Sequence, residues 1–454
     1  MLQISLSQIR GVFFVVILGI PGPCRIKMFK IKYFCFSQPQ SIYIYLITYS
    51  RLVHNSKRKT LMNNFLLYFL ITFFLISCNQ DNQDPDKETL EFSSSWSAEH
   101  DPSFEIGSGI SRAYDIVEHN DQYLVSGREI YNGFEVGPVF RISKDGSLDP
   151  FFNSRNSFTG TKNIVTKILK LKDGNLLVIG RFTANNSNST QNVAILTNDG
   201  SIEESFSPTD DWPKGYSLMS CVEDQQGRIL VGGEEHFEGV KNMKLYRLLR
   251  NGVLDTTFNA LFNGNIADVK VDINNKIWVG GSFLKVNGVN SNYIAILNED
   301  GSVYKTTSEL KDPRWLIFFV TRIEFQKEGK AIVGGSFDYT IDGKTYNNIA
   351  RFNLDLTLDV DFKREMKNDA WGIFDLTLTE SDEIIYGGLQ FFGMTDASGV
   401  QIETFKADTL NSPSGVVVQN ILLDNEKRLV LAGLFSDYGT VKSSGLLRLK
   451  GKSK

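Results

Sequence analysis

Three observations predict an all-β protein built from repeated small sheets. An apolar hexapeptide ending in glycine recurs as "QYLVSG", "NLLVIG", "RILVGG", "KIWVGG", "KAIVGG", "EIIYGG" and "RLVLAG", with its last glycine at Gly127, Gly180, Gly233, Gly281, Gly335, Gly388 and Gly433. The spacings are 53, 53, 48, 54, 53 and 45 residues, which marks a true internal repeat. Within a unit, an apolar segment and a turn precede the hexapeptide, and an Asp-Gly or Asn-Gly pair follows it. Finally, the repeats open with the end of a unit, and the last unit stops short. Four short antiparallel strands in roughly 50 residues are the arithmetic of a propeller blade. The expected fold is therefore a seven-bladed β-propeller of four-stranded antiparallel blades, closed by an N-terminal strand that completes the last blade.

Each element has its own justification. The opening segments, such as "NIVTKILKL" and "VTRIEFQ", join the hexapeptide through turns such as "KDGN", "QQGR" and "KEGK", so the pair reads as a hairpin. Hexapeptide strands are continuously apolar, as strands covered on both faces must be. Glycine pairs at their ends suit close backbone approach. Phe182, Phe283, Phe337 and Phe435 each lie two residues past an anchor and are expected to pack between blades. After a variable polar loop come a third strand ("NVAILTN", "NYIAILN", "NIARFNL") and a turn at Asp145-Gly146, Asp199-Gly200, Asn251-Gly252 or Asp300-Gly301. Such pairs tolerate the positive φ that tight hairpins need. The fourth element is "LDPFF", "IEESF", "LDTTF" or "LDVDF": an apolar residue, a carboxylate, two spacers and a phenylalanine.

The last unit, "RLVLAGLFSDYGTVKSSGLLRLKGKSK", has its third strand but no carboxylate-to-Phe element. That piece stands at the front, as Asp101-Pro102-Ser103-Phe104 in "EHDPSFEIGSG". Pairing it into the last sheet would tie the chain ends together and remove an unpaired edge. An open solenoid would need polar caps instead.

Taken together, "KDGNLLVIGRF", "NGVLDTTF" and "NNIARFNLDLTLDVDF" resemble the delta-60 repeat family of bacterial secreted and surface proteins. The resemblance covers roughly residues 100–450 and implies a propeller fold; it implies no chemistry. Unit four, ending "GSVYKTT" without the Phe, and unit six, with only "IETF", depart from the pattern.

Ahead of the repeats, residues 62–78 read "MNNFLLYFLITFFLISC". The apolar run is too short to span a bilayer but suits a signal-peptide core. Its end, Leu75-Ile76-Ser77-Cys78, resembles the lipobox of bacterial lipoproteins, which implies acylation of Cys78 and anchoring through several acyl chains. The domain plan is then a signal peptide at 62–77, a polar acidic tether at 78–92 and the propeller at 93–454. Residues 1–61 place a second apolar run, "GVFFVVILGI", before a signal that should be N-terminal, and read as an over-extended start. "SKRK" at 56–59 would supply the basic region such a signal needs, which puts the true start slightly upstream of Lys57. The expected location is the cell envelope, at the outer membrane, on its periplasmic or surface face.

A net charge of −4 without a basic aromatic stripe argues against nucleic acid. Cys24, Cys35, Cys78 and Cys221 show neither a disulfide framework nor metal-ligand spacing. His100, His119 and His236 are scattered among units, and no nucleophile elbow, phosphate loop or calcium loop is present, so no catalytic residue, metal or cofactor is expected. Asp101, Asp149, Glu203, Asp255 and Asp359 share one repeat position, which favours turn capping over acid–base chemistry. Trp212, Trp315 and Trp371 lie between units, where loops on a rigid scaffold carry binding sites, and are the candidate ligand contacts; Trp278 is expected in the core. The expected function is a monomeric, lipid-anchored, non-catalytic binding or scaffolding module for a protein or glycan. The alternatives are a glycan-acting enzyme, which would gather non-repeated carboxylates or histidines at one channel mouth, and a structural subunit of an outer-membrane assembly, which would expose a large apolar patch.

Overall fold

The computed structural model divides into Met1–Thr89 and Leu90–Lys454. In the first unit it describes three strands, Gln3–Ile9, Val12–Leu18 and Lys30–Ile31, paired antiparallel in that order. In the second it describes residues 96–452 except 129, 153, 186–190, 209–211, 213–215, 236–242, 308–309, 312–318, 342–343 and 366–371. The signal peptide, Cys78 and the acidic tether lie outside the described residues.

The fold is all-β. The one helical element among the described residues is a single 3-10 turn, Arg155–Ser157. Each glycine anchor lies in the second strand of an antiparallel sheet, as the hexapeptides predicted. The first sheet is Ala113–His119, Gln122–Gly127 and Val139–Ile142, and the second is Phe158–Lys170, Leu176–Ala184 and Gln191–Leu196. Tyr216–Glu223, Ile229–Glu235 and Met243–Leu248 come next, then Ile266–Val271, Ile277–Gly281, Ile294–Leu297 and Val303–Thr306. Phe319–Phe325, Ala331–Ile341 and Lys344–Phe352 precede Ile373–Leu378, Ile384–Gly388 and Phe392–Thr395. In the last sheet the order is Val417–Leu423, Leu429–Leu434, Leu446–Lys452 and then Trp96–His100 from the front of the repeat region.

The glycine pairs have two separate steric jobs. A Cβ on the first glycine would enter the next sheet: at Gly387 it would lie 2.7 Å from Val418 Cγ1, and at Gly334 2.6 Å from Leu376 Cδ2. A Cβ on the second would strike a backbone carbonyl of the strand across, Ser217 for Gly233 and Asn265 for Gly281. That carbonyl intrudes because every first strand bulges opposite the glycine, as between Leu218 and Ser220 or Ile266 and Asp268.

The fourth element departs from expectation. In most sheets the apolar residue makes a single bridge (Leu148 to Ile142, Leu254 to Leu248, Leu358 to Phe352), and the carboxylate-to-Phe stretch is a turn rather than a strand. Its carboxylate bonds the backbone two residues on, which bends the chain out of the ladder. The last sheet shows the same offset. Trp96–His100 pairs with Leu446–Lys452, His100 opposite Leu449, while Asp101 to Phe104 forms the turn beyond. The two chain segments thus run side by side where other units have an Asp-Gly hairpin.

Sheets pack face to face through apolar clusters. The cluster of the first sheet, around Ile116, Val125 and Phe140, includes Val430, Ala432 and Leu446 of the last, with Phe104 buried against Tyr123 (centroids 6.1 Å apart, edge-to-face). Trp278 is fully buried, and its Nε1–H donates to Asp272 Oδ2 at 2.9 Å. Phe182 and Phe283 pack edge-to-face on Phe158 and Phe262. Phe262 belongs to the strand Ala260–Phe262, which pairs with Met243–Leu248 of the third sheet, so Phe283 packs between neighbouring units as expected.

Candidate functional site

Four of the five repeated carboxylates form one clamp; the fifth, Glu203, has Ile195 where the others have arginine and accepts the Ser205 N–H at 3.1 Å. Asp149 Oδ1 accepts the Phe151 N–H at 2.8 Å, and Oδ2 accepts Arg141 Nε at 2.8 Å. Asp255 with Arg247 and Asp359 with Arg351 repeat the arrangement, both at 2.8 Å. Each arginine stands eight residues before its carboxylate, except Arg448, whose partner Asp101 is also at 2.8 Å. Each guanidinium covers the Phe of its unit, at 5.1 Å for Phe152, 4.7 Å for Phe258, 5.2 Å for Phe362 and 4.8 Å for Phe104. The remaining nitrogen reaches into the turn of the following unit, to the carbonyl two residues before its glycine: Asn198 from Arg141 (2.9 Å), Ala397 from Arg351 (2.7 Å) and Glu299 from Arg247. Arg448 does the same to Lys144 of the first unit. Burial, the largest single influence, raises the Asp101, Asp149, Asp255 and Asp359 carboxyls, but the Ser103 and Thr257 hydroxyls on Asp101 and Asp255, the turn N–H groups and the arginine or lysine partners outweigh it and hold all four below the ordinary range.

A second set of polar groups follows the bulges of the first strands: Asp115, Lys167, Ser220, Asp268, Arg322, Asp375 and Asn420. Bulged first strands leave N–H groups that their own sheets do not pair, and these side chains meet that need. Asp115 accepts the Ile168 N–H at 2.6 Å, Ser220 that of Val269 at 3.0 Å, Asp268 that of Ile323 at 2.8 Å and Asp375 that of Ile421 at 2.6 Å. In each case the donor lies in the next sheet. Arg322 also donates to Asp375 Oδ1, and Ser220 Oγ to Asp268 Oδ1 at 2.9 Å.

The charges converge although they come from distant parts of the chain. Burial pushes Asp115 up; Lys167, the Ile168 N–H and Arg322 oppose this without reversing it. Burial works against the Arg322 charge, but Asp375, Asp268 and Asp115 outweigh it and raise its pKa. Asp115, Asp268 and Asp375 are each at most 3 % exposed.

Trp212 is buried at 5 % exposure, its Nε1–H bonded to the Gln191 carbonyl at 2.8 Å and its ring 5.4 Å from that of Tyr246. Trp315, Trp371 and His236 lie outside the described residues. His119 is buried with Nε2 3.2 Å from the Gly174 carbonyl, and His100 flanks the last-sheet junction, so these two histidines do not meet. Among the described residues no group of three or more His, Cys, Asp or Glu could hold a metal.

A surface feature escaped the sequence reading. Phe151, the second spacer of "LDPFF", is 83 % exposed at the rim of a cleft of about 420 Å³ whose polar lining includes Asn156, Asn185, Asp199, Ser201 and Glu204. The signal was present in the quoted tails, where the same position holds Ser103, Ser205, Thr257 and Asp361.

Among the described residues no helix is long and apolar enough to cross a membrane. Comparison with curated proteins gives no match. Among solved structures, the extracellular domain of a proposed one-component system, BT4673 from B. thetaiotaomicron, is 14% identical over 71% of this chain and 39% of its own, with a TM-score of 0.43. PorZ, an essential surface component of the type-IX secretion system of Porphyromonas gingivalis, is 14% identical over 74% of this chain and 47% of its own, with a TM-score of 0.41. Virginiamycin B lyase from Staphylococcus aureus is 12% identical over 74% and 94%, with a TM-score of 0.40. The chain spans 39% and 42% of the first two structures it matches, both from the BT4673 extracellular domain. Residues 171–206, 227–258, 274–303 and 326–362 match the family model described as a domain of unknown function (DUF5122) beta-propeller, so the chain carries β-propeller repeats.

Proposed function

We propose that the repeat region is a seven-bladed propeller closed by Trp96–His100, working as a lipid-anchored, non-catalytic binding or scaffolding module of the cell envelope for a protein or glycan. The observation that carries the non-catalytic part is that the convergent charged groups are already employed. Asp115, Asp268 and Asp375 each hold a backbone N–H of the next sheet, and the tail aspartates Asp101, Asp149, Asp255 and Asp359 hold arginines. Closure is supported by Arg448, which grips Lys144 of the first unit in the way each other clamp arginine grips the unit after it.

The anchor in this reading is Cys78, freed by removal of the signal segment that ends at residue 77, with 78–92 as the tether to a monomeric propeller. Trp315 and Trp371 remain proposed ligand contacts. An enzyme acting on extracellular glycans is the second reading, and the gathering of Asp115, Asp268 and Asp375 around Arg322 is what favours it. Their burial and backbone bonds weigh against it.

A pull-down combined with a glycan array, using the soluble form that begins after Cys78, tests the module; specific capture in either is expected, and none in both would overturn it. Cys78→Ala is expected to abolish labelling by radioactive palmitate, and unchanged labelling would remove the anchor.

A further inference from the structure

We propose that Arg112, Tyr114 and Gln419 form a subsite for the carboxylate of a sugar acid, an inference that rests on the binding-module reading and names the group its ligand presents. Arg112 stands just before the first strand of the first sheet, Ala113–His119, and Gln419 lies in the first strand of the last, Val417–Leu423. Arg112 Nη2 donates to Gln419 Oε1 at 3.3 Å, so the group straddles two sheets far apart in sequence. The guanidinium also covers the Tyr114 ring, 5.1 Å from its centroid. These two contacts fix the position and the plane of the charge.

Comparison with the other units shows that the scaffold does not need this group. Where the first unit has Arg112, the others carry Ile164, Ser217, Asn265, Phe319, Gly372 and Val417, none of them charged. Tyr114 and Gln419 are the extra residues at the bulges of their strands, a position that re-aims a side chain. In the second and fifth units the extra residue is Thr166 or Thr321, whose hydroxyl donates to a carbonyl of the next sheet, Leu218 or Ile373. Tyr114 and Gln419 make no such tie. Among the described residues the Tyr114 hydroxyl and the Gln419 amide nitrogen bond nothing.

The unmet groups are all able to donate. The clamp arginines each hold an aspartate, whereas Arg112 has no carboxylate partner among the described residues, and its Nε is enclosed without an acceptor. A guanidinium, a phenol hydroxyl and an amide NH₂, all half-buried, call for an anion that accepts several bonds. A carboxylate does so in the plane of the guanidinium fork. The set offers no carboxylate to receive an ammonium group, which sets amino acids aside. Among the residues that follow the bulges, Asp115, Asp268 and Asp375 outnumber Lys167 and Arg322, a balance that favours a single negative charge over a dianionic phosphate. Beside the carboxylate, the Tyr114 hydroxyl and the Gln419 nitrogen suit the ring oxygen and hydroxyls that a sugar acid carries and a fatty acid lacks.

The test is calorimetric titration of the soluble form that begins after Cys78 with galacturonate oligomers, neutral glucose oligomers, inorganic phosphate and a glutamate-rich peptide. Three proteins are compared: the native chain, Arg112→Ser and Tyr114→Phe. Other units carry these residues at the same positions, as Ser217 and Phe374, so both variants are expected to keep the native melting temperature. Tyr114→Phe removes one hydroxyl and keeps the ring, so it reads the site even where Arg112→Ser melts early. The expected result is galacturonate binding that weakens with added salt and falls at least about tenfold in Arg112→Ser and about threefold in Tyr114→Phe. Galacturonate affinity unchanged in both variants would overturn the subsite and leave the module standing. So would phosphate or the acidic peptide binding as tightly as galacturonate, or capture of a neutral glycan or a protein with no galacturonate bound. Failure of the soluble form to bind any glycan or protein would remove the module as well.

Discussion

Removing Asp101 tests the junction of the two chain ends. The Arg448 side chain is 1 % exposed, and three of its bonds converge there: Asp101 Oδ2 at 2.8 Å, Ser103 Oγ at 2.8 Å and the Lys144 carbonyl. Asp101→Ala leaves the guanidinium buried without its counter-charge, a class of change that costs about 3–5 kcal/mol. Because Ser103 and Lys144 still hold it, the lower end applies, about 3 kcal/mol. For a domain of this size each kcal/mol moves the melting temperature by roughly 2 °C, so a drop of about 6 °C is expected. Asp255→Ala serves as the internal comparison, since the Arg247 side chain is similarly buried and its partner is only eight residues away in the same unit. Both variants should lose similar stability in calorimetry and in urea. If Asp255→Ala is destabilised while Asp101→Ala melts like the native chain, the front strand is not seated in the last sheet and the closure argument fails. Replacing both members, Arg448→Met with Asp101→Leu, should recover most of the loss, because an apolar pair carries no unpaired charge.

Gly281→Ala should destabilise by more than about 3 kcal/mol and exceed Gly280→Ala, because its Cβ meets the Asn265 backbone carbonyl whereas that of Gly280 meets the movable Val320 side chain; equal melting shifts would contradict this. Burial pushes the Cys221 thiol up to about 12, so the native protein should resist iodoacetamide at pH 8 and react once unfolded, and rapid native labelling would refute the packing. Acid should unfold the protein in two stages. Burial lowers the pKa of His100 and His119, so the unfolded chain binds their protons more readily and stability declines as pH falls through about 6.5. The four clamp aspartates have depressed folded pKa values, so their contribution is present above about pH 4 and is lost as pH falls through the folded values. His119→Gln should shrink the first stage and leave the second in melting curves across pH 3–8.

Much of the architecture was legible because it repeats. The hexapeptides, their glycines and the Asp-Gly turns are local signals, and strands such as Ile277–Gly281 and Leu429–Leu434 formed where they stood. The tail is expected as a strand because a four-stranded blade needs a fourth; the Asp149 bond to the Phe151 N–H makes it a turn. Trp212 lies between units in the sequence, yet the Gln191 carbonyl and the Tyr246 ring that meet it come from the strands Gln191–Leu196 and Met243–Leu248. Phe151 has the same apolar character as Phe152 beside it, and only exposure, 83 % against 5 %, separates surface ring from core.

What the chain determined alone was the period, the order of strands within a unit and the phase shift that places a unit's end at the front of the repeats. These depend on turn chemistry and apolar patterning between residues close in sequence. Tertiary structure decided which groups face one another across units. The Arg448 grip on Lys144, the Asp115 bond to the Ile168 N–H and the influence of Asp115 on Arg322 join residues tens to hundreds of positions apart. Their physical cause is the stacking of sheets with bulged edges, which turns polar residues that look like chemistry in the sequence into the fastenings between neighbours.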